Sequence, residues 1–293
     1  MRRVPGIYWI AGGAALWGTD TVFRQPLAGA LGPIQIVLYE HLILAVIVLP
    51  IVIRGRARLS NLTSATWIAI LGTAWIGSAL STVLFTAAMR SGSPTTAVLL
   101  QKTQPVFAIV LARTLLDEVW PSRFPLVAFA AMAGAYLVAF GSGSLLAPTA
   151  SIEVWPAVLA VGAAFGWAFA TICGRVASRD LPFEMVTALR FLLAIPALLV
   201  FALMERQAGL PAPGQFVSLL WMALIPGFAG LMLYYRGLQQ TPAFQATIAE
   251  MAFPVTAALL NWLFLQFSVS ALQILGFIVV WGAIAVVSKS DKH

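Results

Sequence analysis

The chain repeats itself at about half its own length. Gly13-Ala14-Ala15 recurs as Gly162-Ala163-Ala164, Pro33 as Pro182 and Pro105 as Pro254. A period of roughly 149 residues in a chain of 293 is a duplicated domain rather than a solenoid. Both copies are apolar almost throughout. Hydrophobic residues make up 61% of the sequence and charged residues 9%, against about 25% charged in soluble domains. Apolar runs of about 18 residues or more recur along the chain, each long enough to cross the hydrocarbon of a bilayer. The sequence therefore predicts an all-α integral membrane protein. Duplicated membrane halves are the usual architecture of a transporter in which one half moves against the other around a central site.

Breaks at Pro, Gly and charge clusters predict ten transmembrane helices. They fall near 6–24, 33–53, 66–89, 94–113 and 123–141, then 154–175, 182–204, 216–238, 242–265 and 270–288. The domain division is 1–145 for the first five-helix repeat and 150–293 for the second. Transmembrane strands would need short alternating segments, which these runs are not. The N-terminus reads as a retained first helix, because Trp17, Asp20 and Arg24 stand where a signal-peptide cleavage site would need small residues.

Orientation follows from the Lys and Arg beside the helix ends. With the N-terminus in the cytoplasm, the inner side carries Arg2, Arg3, Arg54, Arg56, Arg58, Arg113, Arg123, Arg175, Arg179, Arg236, Lys289 and Lys292. The outer side carries Arg24, Arg90 and Arg206. Both termini are therefore expected in the cytoplasm. Five helices per copy is an odd number, so the second copy enters from the opposite face and the repeats are inverted. The net charge of +7 does not indicate nucleic acid, because the cations sit singly or in short groups between apolar segments.

Charged groups within the bilayer cost about 2.5–3.5 kcal/mol at a helix centre by insertion scales, and they usually face a cavity or a partner. Lys102 precedes Pro105 by three residues and Glu250 precedes Pro254 by four, so the two occupy nearly the same place in the fourth and ninth helices. Pro105 and Pro254 are expected kinks, each freeing the carbonyl four residues earlier, at Gln101 and Glu250. Lys102 could hold a carboxylate and Glu250 an ammonium; the alternative is an ion pair that pins the two helices together. His41 and Arg190 each follow their repeat's proline, Pro33 or Pro182, by eight residues. In an inverted repeat they would serve an outer and an inner gate. Glu40 with His41 is a candidate proton relay. The bland alternative is a hydrogen-bonded core histidine and an arginine reaching for the interface.

Asp20 and Arg24 are spaced i, i+4 and are expected to pair at the outer interface. Trp17 shares that face, with Trp167 as its rough counterpart in the second copy. Tyr39 shares a face with Gln35, and Tyr234-Tyr235 stand before Arg236 as cavity or interfacial residues. The substrate-binding candidates are thus Trp17, Tyr39, His41, Gln101, Lys102, Trp167, Tyr234 and Glu250, and the gating or coupling candidates are Asp20, Glu40, His41 and Arg190. No Walker A loop precedes any lysine, and His41 and His293 are the two histidines. No metal, no cofactor and no enzymatic activity are expected. Gly141-Ser142-Gly143-Ser144 reads as a linker.

This pattern resembles the drug/metabolite transporter superfamily, specifically the bacterial EamA-type exporters. The resemblance spans essentially the whole chain. It is carried by Ala14-Ala15-Leu16-Trp17-Gly18, Gln104-Pro105-Val106-Phe107, Glu118 and Ala249-Glu250-Met251-Ala252-Phe253-Pro254. Within the superfamily the chain looks most like the aromatic amino acid exporter branch. The resemblance implies alternating access and export of amino acids or similar small metabolites from the cytoplasm across the bacterial inner membrane. A multidrug or nucleotide-sugar carrier, an intramembrane enzyme and a non-transport membrane subunit are the alternatives. The expected partners are the small solute, the lipid bilayer and protons as a candidate coupling ion, with the chain a monomer. Two departures stand out: Phe267 where the second copy would mirror Glu118, and Arg190 where symmetry would place a histidine.

Overall fold

The computed structural model describes residues 4–92, 97, 100–140, 154–205, 210–265 and 270–290. Among these the regular structure is entirely helical. Six helical stretches are long and apolar enough to cross a membrane, from Pro33–Asn61 to Ala271–Lys289, and Gln104–Leu115 and Phe124–Val138 are shorter apolar helices. The Gly141–Ser144 linker, Phe267, Arg206 and the first residues of the predicted fourth helix lie outside the described residues.

The first predicted helix is two. Helix α1 (Gly6–Trp17) ends at Gly18-Thr19 and α2 (Asp20–Ala30) starts anew. The amide of Gly18 bonds the carbonyls of Ala14 and Ala15, and the Thr19 hydroxyl donates to Leu16 O at 2.7 Å. A Cβ on Gly18 would come within 2.8 Å of the Phe253 carbonyl oxygen, so the break lets another helix approach the backbone. Next come α3 (Pro33–Gly55), α4 (Ser64–Leu71), a π-helical segment Gly72–Leu80, and α5 (Ser81–Ser91). Helices α6 (Gln104–Leu115) and α7 (Phe124–Phe140) complete the first half. The second half holds α8 (Val154–Asp180), α9 (Phe183–Glu205), α10 (Pro213–Met222), a π-helical segment Ala223–Gly230, and α11 (Leu231–Leu238). It ends with α12 (Ala243–Ala249), α13 (Ala252–Leu265) and α14 (Ala271–Ser290).

Both halves therefore carry a π-helical segment in the same relative place, between α4 and α5 and between α10 and α11. Both also break just ahead of the paired prolines. Proline has no N–H to return to the carbonyl four residues back, so tighter three-residue turns take over. Thr103 N donates to Leu100 O and Val106 N to Thr103 O, while Met251 N donates to Ile248 O and Phe253 N to Glu250 O. The Glu250 carbonyl is consequently not free, contrary to the sequence expectation.

Small residues set the closest helix contacts, as in other membrane bundles. Helices α1 and α11 pack with glycine facing glycine. A Cβ on Gly13 would lie 2.5 Å from the Gly230 carbonyl oxygen, and one on Gly6 would lie 2.7 Å from that of Gly237. Helices α7 and α14 form a second close pair, and α3 packs along α9.

Candidate functional site

The breaks in α1–α2 and α12–α13, the π-helical segments and the middles of α3, α8 and α9 converge on one cavity of about 160 Å³. Of the sequence candidates, Trp17, Asp20, Glu40, His41, Gln101, Lys102, Trp167, Arg190, Tyr234 and Glu250 line it, as does the kink residue Pro105. Pro254 stands beside it, next to lining residue Phe253. Tyr39 is not among the lining residues. It packs instead against the apolar cluster of Leu27, Ile36, Leu219 and Met222. Gln35, whose face it shares, is spent at the start of α3, where its Oε1 accepts from Gly32 N at 3.0 Å.

Glu250 is buried at the α12–α13 break. Its carboxylate accepts from Gln104 Nε2 at 2.7 Å and from the Tyr234 hydroxyl at 3.0 Å. The Tyr234 hydroxyl also meets Thr171 Oγ1 at 2.9 Å. Glu250 is thus linked through neutral groups to α6, α8 and α11. Lys102 does not close an ion pair with it: no carboxylate lies within 4.0 Å of the Lys102 ammonium among the described residues. Its Nζ stands 3.7 Å from the centre of the Phe253 ring, a cation–π contact. The helix-pinning ion pair is therefore absent from this arrangement, and both charges face the cavity.

Asp20 and Arg24 do pair, at 2.6 and 2.8 Å, but not as an interfacial pair. Arg24 is 3% exposed, and it also reaches Glu40 at 3.2 Å and Thr86 Oγ1 at 3.3 Å. One guanidinium thus serves two carboxylates inside the bundle. Spacing revealed the i, i+4 partner; only packing of α2 on α3 and α5 brought in Glu40 and Thr86. The place of Arg24 in the cavity follows from those contacts, which no spacing in the sequence shows.

His41 and Arg190, expected at an outer and an inner gate, come together in the structure. Both line the same cavity, since α3 and α9 lie side by side. Phe191 meets the His41 ring edge-on with centroids 5.6 Å apart. Arg190 donates from Nε to Ser78 Oγ at 2.7 Å and from Nη1 to the Tyr235 hydroxyl at 2.9 Å. Tyr235, for which the sequence allows a cavity or an interfacial place, is fully buried.

Aromatic rings complete the walls. Trp17 packs on Tyr234 at 4.9 Å and Phe85 on Trp167 at 5.3 Å between centroids. The site therefore offers flat apolar faces with a small number of buried polar groups, the usual composition of a small-molecule site. Among the described residues no group of His, Cys, Asp and Glu is placed to hold a metal ion.

Comparison with known proteins agrees with this architecture. The chain is 28% identical to the riboflavin transporter ImpX of Fusobacterium nucleatum subsp. nucleatum, covering 98% of this chain and 99% of that protein. It is 24% identical to the uncharacterized transporter YwfM of Bacillus subtilis, over 72% of this chain and 69% of the relative. A solved crystal structure shares the fold with a TM-score of 0.78 over 98% of this chain and 99% of its own, at 16% identity. The EamA-like transporter family matches twice, over residues 4–140 and again over 154–289. The chain belongs to the EamA-like transporter family and is a multi-pass membrane transporter.

Proposed function

We propose that this transporter carries a small solute with a flat aromatic or apolar body and a polar end, exporting it from the cytoplasm by alternating access. The observation that carries the reading is one cavity in which Trp17, Phe85, Trp167 and Tyr234 flank two opposite charges, Lys102 and Glu250, that are not paired with each other. Amino acids with aromatic or apolar side chains fit this description: the rings take the side chain, Lys102 the carboxylate and Glu250 the ammonium. In this proposal residues 1–145 and 150–293 are the two inverted five-helix halves of a ten-helix bundle in the bacterial inner membrane. Both termini face the cytoplasm, the chain works as a monomer, and Asp20, Glu40, His41 and Arg190 take part in gating or proton coupling.

A second reading is favoured by the full-length relative named a riboflavin transporter. A flavin has the same outline, a flat ring system with a hydrogen-bonding edge and a polar tail, and the same aromatic walls would stack on it.

Uptake into proteoliposomes separates the two, with a labelled amino-acid panel and riboflavin presented in parallel, with and without a proton gradient. Saturable uptake of aromatic amino acids supports the first reading, and saturable uptake of riboflavin alone replaces it with the second. Failure of both solute classes would sink the proposal. A rate indifferent to the gradient would remove proton coupling.

A further inference from the structure

Arg190 and His41 both line the cavity, Arg190 with no carboxylate within 4.0 Å and His41 with a buried Nε2 that has no hydrogen-bond partner among the described residues. We propose that together they form a donor–acceptor subsite for the polar end of the transported solute: Arg190 donates to an acceptor on the solute, and His41 Nε2 accepts from an adjacent donor. This rests on the transport reading above and names what that site grips.

Arg190 is 8% exposed, and its guanidinium offers N–H donors in a fixed planar fork and no acceptor. Its hydrogen bonds, through Nε and Nη1, go to the neutral hydroxyls of Ser78 and Tyr235. No carboxylate lies within 4.0 Å of it among the described residues. The carboxylates that share its cavity are engaged elsewhere, Asp20 and Glu40 on Arg24 and Glu250 on Gln104 and Tyr234. Its Nη2 has room because residue 77 is glycine; a Cβ there would come within 3.1 Å of that nitrogen. A buried cation with no carboxylate in contact is costly, so the pocket favours a solute atom that accepts from it.

His41 is 3% exposed. Its Nδ1 lies 2.8 Å from the Val37 carbonyl oxygen, which can only accept, so Nδ1 carries the hydrogen. In the neutral ring that leaves Nε2 as an acceptor. Nε2 is buried and has no hydrogen-bond partner among the described residues. The ring is held by Phe191, the residue after Arg190.

Beyond the contacts assigned to Lys102 and Glu250, an amino acid's α-carboxylate keeps a second oxygen and its α-ammonium further N–H groups, so it still presents an acceptor beside a donor. The C=O and N–H of a ring imide, as on a flavin, present the same pair. The experiment distinguishes these sources. Dissociation constants are measured on the purified full-length protein through quenching of its tryptophan fluorescence. The ligands are phenylalanine, phenethylamine and 3-phenylpropionate in one series, and riboflavin with N3-methylriboflavin in the other. The proteins are wild type, Arg190→Gln, Arg190→Lys, His41→Leu and His41→Gln.

For whichever parent ligand binds, Arg190→Gln and His41→Leu should each weaken binding about tenfold or more, the usual scale for a lost charge-assisted or buried hydrogen bond. His41→Gln should recover part of that loss, because an amide oxygen also accepts. Phenethylamine should be insensitive to Arg190→Gln, whereas 3-phenylpropionate and N3-methylriboflavin should be insensitive to His41→Leu. Parent binding unchanged in both variants, or blocked analogues binding wild type as well as their parents, overturns the subsite while leaving the transport reading intact. If neither parent binds wild type, the transport reading falls and the subsite with it. Should Arg190→Gln fail to fold, the analogues on wild type and Arg190→Lys decide the matter.

Discussion

The Glu118 carboxylate accepts from the backbone N–H of Ala243 at 2.9 Å, and from that of Phe244 at 3.1 Å, so a side chain following α6 caps the start of α12. The approach depends on Asp117, whose φ of 52° turns the chain through the left-handed region after α6. The Leu116 and Glu118 amides both return to the Ala112 carbonyl there. Two segments far apart in sequence are thereby tied at one end of the bundle. Glu118→Ala should destabilise the protein by about 1–2 kcal/mol, the usual range for a lost helix cap. Asp117→Gly should be neutral or stabilising and Asp117→Val destabilising, because a β-branched residue resists positive φ. Thermal unfolding in detergent checks both; equal melting temperatures for Asp117→Gly and Asp117→Val would remove the backbone argument.

Lys102 and Glu250 have different partners, and their variants should separate function from folding. Lys102→Ala removes an ammonium whose contact is the Phe253 ring. Glu250→Gln keeps the shape; its amide oxygen can still accept from Gln104 and its NH2 can donate to the Tyr234 hydroxyl oxygen. Both should lower the transport rate by at least about tenfold, the effect of losing a charge-assisted contact to the solute, with monodisperse, folded protein recovered at near wild-type yield. Loss of folded protein in both would instead assign the pair a purely structural role.

Arg24 serves two carboxylates, buried Glu40 and half-buried Asp20, so removing it should be severe. Arg24→Leu strands Asp20 and Glu40 without a counter-charge and should cost about 3–5 kcal/mol. The triple change Arg24→Leu, Asp20→Asn, Glu40→Gln removes the stranded charge and should recover much of that loss. Comparing unfolding midpoints tests this. A triple variant no more stable than Arg24→Leu would count against the charge explanation.

The neighbouring glycines of α1 make a sharp contrast. A Cβ on Gly13 would strike the backbone at Gly230, just before α11, and at Tyr234 within it, whereas on Gly12 it would meet the Leu233 side chain at an ordinary 3.7 Å. Gly13→Ala should lower the melting temperature measurably, and Gly12→Ala should leave it unchanged or raise it slightly, given alanine's better helix propensity. The opposite order would mean that α1 and α11 do not pack backbone to backbone.

Much of this was legible in one dimension. Helix positions follow from apolar run length, and the break ahead of Pro105 and Pro254 follows from the missing proline N–H, since both are local consequences of residue type. Lys102, Glu250, Trp17 and Trp167 could be picked out because charge and large aromatics are unusual in apolar runs and because the repeat put them in matching places. The break at Gly18-Thr19 was not foreseen, since a glycine in an apolar helix carries no mark of the neighbour that will approach it. Tyr39 lies outside the cavity lining, because face-sharing along α3 does not say which helix covers that face.

The sequence by itself determined that the chain is a helical, duplicated membrane protein with polar groups at corresponding points of its halves, because length, hydropathy and proline act locally. Only the tertiary structure decided who partners whom. It gave Arg24 to Asp20 and Glu40, turned Glu250 toward Gln104 and Tyr234 rather than Lys102, and placed His41 and Arg190 on one cavity. The physical reason is range. A buried charge must find compensation within a few ångströms, and those few ångströms are set by which helices pack side by side.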